Sequence, residues 1–117
     1  MPLVRVTTSH APNDETARGA LLAELSSAAS QLFGKPERWV MTCLDADAAM
    51  SFGGTASPAA YVEVKNIGDL SPQLARRVSS TITEIVARGL GVSADRVYIE
   101  MTAAEGERWG YGGGTFG

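Results

Sequence analysis

At 117 residues the chain has the length of one domain, with ten basic against thirteen acidic side chains and a net charge of −3. No basic run offers a surface that would neutralise phosphates, no apolar stretch approaches the ~20 residues that span a bilayer, and Arg5, Thr7, Thr8, Ser9 and His10 break the opening segment too early for a signal sequence. A lone Cys43 and a lone His10 leave neither a disulfide nor a C-x-x-C pair and argue against a dedicated transition-metal site, so a cofactor-free cytoplasmic protein without nucleic-acid or membrane partners is expected.

Leu3-Val4-Arg5-Val6-Thr7 is rich in β-branched residues and predicts a strand, at whose start Pro2 is tolerated. Pro12-Asn13-Asp14 predicts a turn with an Asn cap, placing Asp14 and Glu15 in the first turn of a helix, where negative charge is favourable. Leu21, Leu22, Leu25, Ala28, Ala29 and Leu32 recur at helical spacing until Gly34 stops the pattern. Trp39 to Leu44 predicts a second strand, Phe52-Gly53-Gly54-Thr55 a turn, and Ala59 to Lys65 a third strand. Ser71-Pro72 is a cap followed by Pro at the first helical position. Leu74, Val78, Ile82, Ile85, Val86 and Leu90 then mark a second amphipathic helix closed by Gly91. Arg96 to Met101 predicts a fourth strand, and the Gly-rich tail reads as a flexible turn.

The two halves, about 1–57 and 58–117, repeat. A shift of 58 residues lays Leu3-Val4-Arg5-Val6 on Tyr61-Val62-Glu63-Val64 and Glu37-Arg38 on Asp95-Arg96. Each half is strand, helix, strand, which implies a parallel right-handed β-α-β unit. The expected fold is α/β (α+β), with a β-α-β-β-α-β repeat and a four-stranded mixed sheet carrying both helices on one face. Leu3, Met41 and Tyr61 make the other face partly apolar, and oligomerisation is its natural cover.

Met1-Pro2 is the most informative pair. A small second residue ordinarily permits removal of the initiator Met, which leaves Pro2 as a rigid secondary amine at the chain end. An α-amino group titrates at about 7.7–8.0, well below the ~10.4 of lysine. Apolar surroundings and a nearby cation lower it further. A neutral amine fixed at the start of a strand is a general base at pH 7.

Met1-Pro2, Gly34-Lys35-Pro36, Met50-Ser51-Phe52-Gly53-Gly54, Asn66-Ile67-Gly68, Asp95-Arg96-Val97-Tyr98-Ile99 and Thr115-Phe116 stand in one order at compatible spacing. Together they resemble the macrophage migration inhibitory factor family of the tautomerase superfamily. The resemblance implies a symmetric homotrimer with active sites between subunits. It also implies a keto–enol tautomerase for phenylpyruvate-like α-keto acids, with Pro2 as the catalytic base and Lys35 binding the substrate carboxylate. Ile67 matches a position that offers its backbone to substrate, and Tyr98 an aromatic that reaches into the neighbour's pocket. Trp109 stands where an aliphatic residue is common and Tyr111 replaces a Trp. Glu100 stands where Asn is usual near the substrate ring; its charge is expected to repel anions and raise the pKa of Pro2, weakening activity.

Two further family properties do not carry over. The Cys-x-x-Cys pair of mammalian members is absent near Ala59-Ala60-Tyr61. Asp14 replaces an Arg of a proposed receptor-contact pair, leaving Asp47 as its acidic half. The alternative function is a cytokine-like or protein-binding module with a vestigial pocket, which Glu100 and Trp109 favour.

Overall fold

Alternation along the first strand, β1 (Leu3–Thr8), sends Val4, Val6 and Thr8 to one side and Leu3, Arg5 and Thr7 to the other. That split decides the layering of the computed structural model, which describes residues 1–117. A helix α1 (Glu15–Phe33) leads to β2 (Met41–Asp45), which runs parallel to β1. The second half repeats the plan with β3 (Ala60–Ile67), α2 (Pro72–Leu90) and β4 (Val97–Ala104), and β4 is parallel to β3. The halves join through antiparallel β1 and β3, giving the order β2-β1-β3-β4. In that pair Arg5 stands opposite Glu63. These are the two residues related by the 58-residue repeat, so the twofold of the sequence passes between them.

Val4, Val6, Val62 and Val64 meet Leu21, Leu25, Ala29, Val78, Ile82 and Val86 in one core between sheet and helices. Both helices therefore lie on the same face, as the repeat predicts. Leu25 has no exposed surface, and Leu25→Ala is expected to cost about 2–5 kcal/mol through lost burial and a residual cavity. Urea denaturation should show a lower midpoint at unchanged slope.

Three local expectations are corrected. The α1 cap is Asp14 rather than Asn13, because the Asp14 side chain accepts from the Thr16 N–H at 3.0 Å. Trp39 belongs to a 3-10 turn, Glu37–Trp39, and not to the second strand. The Trp39 N–H donates back to the Pro36 carbonyl and Val40 to Glu37, so the β2 ladder begins only where Met41 N–H meets the Pro2 carbonyl. The tail is an ordered hairpin of β5 (Gly110–Tyr111) and β6 (Gly114–Thr115). Its two turn residues, Gly112 and Gly113, have φ of 59° and 92°, the conformation a type I′ turn needs and that only glycine adopts freely.

No helix is long and apolar enough to cross a membrane.

Candidate active site

Gly34 ends α1 in the left-handed conformation, φ 62°, and turns the chain so that Lys35 leaves the helix toward the sheet. Ser30 fixes Lys35 from both sides. Its carbonyl accepts the Lys35 N–H at 3.1 Å, and its hydroxyl donates to the Lys35 carbonyl at 2.6 Å. The side chain then crosses to the end of β3, where Nζ donates to the Ile67 carbonyl at 3.0 Å. The backbone group singled out at Ile67 is thus held by the cation singled out at Lys35. Beside Ile67, Asn66 is buried with Oδ1 lacking a partner, a local cost of about 1–3 kcal/mol.

The chain terminus lies against the same cation. The Met1 amine is lowered to about 6, first by desolvation and then by the charge and hydrogen bond of Lys35. A group so placed is mostly neutral at pH 7. Pro2 is fully buried, its ring on the helix side with Val4.

A cavity of about 380 Å³ opens at Met1, Pro2 and Leu3. One wall is Trp39, whose ring stands edge-on to Tyr111 at 4.9 Å and to Phe116 at 5.7 Å. Tyr111 and Phe116 stack on each other at 5.7 Å. These pairings explain why the tail hairpin is ordered: it carries Tyr111 and Phe116 onto Trp39, and Trp109 with them into the cavity lining. Aromatic edges and faces attract each other beyond simple burial. The result is an apolar slot with an amine at one end.

Pro2, Lys35, Ile67 and Trp109 thus gather around the terminus. Tyr98 and Glu100 do not. Tyr98 is level with Tyr61 and Thr7, at the other end of the sheet, and packs on Phe52 at 4.8 Å. Glu100 lies on the helix-free face, accepting from the Tyr61 hydroxyl at 2.7 Å, which raises the phenol pKa above its ordinary value. Glu100 is not among the groups that shift the terminal amine of its own chain. Arg38, Trp39 and Met41 complete the cavity, a role the sequence reading did not assign them. Trp39 was hidden in an expected strand, and only the turn after Lys35-Pro36 places it.

No three His, Cys, Asp or Glu side chains form a group that could hold a metal ion.

The family model for macrophage migration inhibitory factor matches residues 1–117. A homolog from Brugia malayi is 29% identical over 117 residues, covering all of both chains. Macrophage migration inhibitory factor of Meriones unguiculatus is 30% identical over 116 residues, 99% of each chain. Among solved structures, a homologue from Prochlorococcus marinus superposes with a TM-score of 0.92 at 40% identity, over 98% of this chain and 99% of that one. With matching sequence, topology and length throughout, this chain belongs to the macrophage migration inhibitory factor family, within the tautomerase superfamily.

Proposed function

We propose that the protein is a cofactor-free keto–enol tautomerase of α-keto acids, working through the Pro2 amine once Met1 is removed. The observation that carries this is the terminal amine, pulled down to about 6 by burial and by Lys35 at the mouth of an aromatic-walled cavity. Removal of Met1 frees the Pro2 nitrogen one residue further in, in the neighbourhood of the same cation. Its lone pair takes a proton from the carbon beside the ketone. The C–H electron pair becomes the C=C bond, and charge moves to the carbonyl oxygen. The protonated amine then gives that proton to the enolate oxygen, which completes the enol; in the ketonising direction the amine takes the enol hydroxyl proton and delivers it to the carbon. Lys35 has three N–H donors, and those not spent on Ile67 and the amine attract the substrate carboxylate and the developing enolate. Trp39, Trp109 and Phe116 exclude water and receive the ring of a phenylpyruvate-like substrate.

Tyr98 enters this scheme only from another copy, because it stands at the far end of the sheet from its own cavity. With Leu3, Met41 and Tyr98 on the helix-free face, and Met41 and Tyr98 each 66% exposed, a homotrimer is the expected assembly. Light scattering should return about three times the 12.3 kDa chain mass; a stable monomer would remove the interfacial part of the site.

The test of the reading is ketonisation of enol-phenylpyruvate, followed by absorbance, on protein whose mass shows Met1 absent and on protein that retains it. Turnover by the trimmed form alone is expected. A trimmed protein without turnover would favour the protein-binding alternative. Glu100→Asn separates the two uses of β4. The Tyr61 phenol should titrate at lower pH, since it loses its anionic partner. The acid limb of the rate profile should also move to lower pH if Glu100 enters a neighbour's cavity.

A further inference from the structure

Four arginines are occupied by structure. Arg5 pairs with Asp45 at 2.7 Å and Arg88 with Glu24 at 2.6 Å. Arg18 donates to the Pro12 carbonyl. Arg96 holds the carbonyls of Phe52, Thr55, Ser57 and Pro58, fixing the loop that carries Phe52 onto Tyr98. Arg38 differs from all four. It makes no ion pair and no hydrogen bond, it lines the cavity beside Pro2, and its guanidinium lies 5.5 Å from the centre of the Trp39 ring.

A cation attracted to an indole ring spends none of its N–H donors on that contact, so the edge of the Arg38 guanidinium stays available. That edge is a fork matched to a carboxylate. The position of the fork follows from strand order. Pro2 leads into β1, Ile67 ends β3 on one side, and Trp39 precedes β2 on the other. Lys35 goes to Ile67 and Arg38 stays with Trp39, so the two cations flank the terminus from opposite sides. Their separation is roughly two strand spacings, on the order of 10 Å. The aromatic slot runs from the terminal residue that Lys35 contacts to Arg38.

We propose that Arg38 is a second anion subsite, and that the preferred substrates are α-keto diacids: the carboxylate beside the ketone is held at Lys35, and a second carboxylate, across a flat or apolar spacer, at Arg38. This rests on the tautomerase reading for its chemistry but not for its binding geometry. A monoacid such as phenylpyruvate would fill the slot and leave the fork of Arg38 to water.

Binding is tested first with two unreactive ligands of the same ring, phenylacetate and 4-(carboxymethyl)benzoate, by quenching of Trp39 and Trp109 fluorescence on the trimmed protein. The diacid should bind about tenfold more tightly, the return expected from one charge-assisted pair. In Arg38→Gln the ratio of the two affinities should fall close to one, whatever change the ligands share, and Arg38→Lys should restore part of it. Equal affinities in the unaltered protein would overturn the subsite, as would a ratio that survives Arg38→Gln. Turnover of phenylpyruvate and 4-carboxyphenylpyruvate is measured alongside. A diacid preference in binding without turnover of either keto acid would remove the tautomerase reading and leave the subsite standing. Turnover of both with equal KM would do the reverse.

Discussion

Pro2→Gly is expected to lower kcat/KM for enol ketonisation by about 10²–10⁴-fold, the usual range for loss of a positioned general base. Glycine also permits Met1 removal, so both proteins can be compared in the trimmed form by mass. The substitution keeps an amine at the terminus but removes the ring that fixes φ and fills a fully buried place beside Val4. The new terminus is free to rotate, and the fraction of time its lone pair faces the cavity falls. Its basicity changes less than its position, so kcat should drop more than KM rises. The pH profile gives an independent reading. Only the neutral amine accepts a proton, so the rate rises with pH through the amine pKa. In the unaltered protein that limb should lie below the ordinary α-amino value, because Pro2 is buried and Lys35 lies against the terminus. Unchanged turnover in Pro2→Gly would mean that another group is the base.

The architecture was legible because the sequence repeats one local instruction twice. Alternation in β1 and β3, the Ser71 cap and the left-handed Gly34 and Gly91 all act within a few residues, and the structure follows them. Lys35 and Ile67 were found through the family pattern, but the bond between them depends on the length of α1 and on Ser30 holding the Lys35 backbone. The cavity wall was much less legible. Trp39, Tyr111 and Phe116 come from a 3-10 turn and a tail hairpin far apart in the chain, and their packing is set by tertiary contact rather than by periodicity. Arg38 has no sequence signal beyond its charge. It acquires a meaning only when the strand order places it across Pro2 from Lys35. Glu100 shows the opposite case. Its acidity beside the family pattern suggests a weakened site, and within its own chain the carboxylate is engaged by Tyr61 away from the terminus, so only a neighbouring copy could bring it to a cavity.

Lys35→Ala is expected to raise KM for phenylpyruvate by about 10–100-fold, the effect of removing a charge-assisted hydrogen bond to a carboxylate. The carboxylate is present in both ground and transition states, so kcat should change less. The same substitution should shift the acid limb to higher pH, because the Lys35 cation opposes protonation of the amine and its removal relaxes that opposition. The shift should stop short of the ordinary α-amino value of 8.0, since desolvation is the larger cause and survives the mutation. Lys35→Arg tests the division. It restores the charge and should return the limb toward its original position. The KM should recover only in part, because the planar fork cannot reproduce an ammonium placed against the Ile67 carbonyl. If Lys35→Ala raises KM and leaves the limb in place, Lys35 is an anchor alone and burial sets the basicity of the amine. If it moves the limb and leaves KM unchanged, the carboxylate is held elsewhere, and the Arg38 end of the cavity becomes the first place to look.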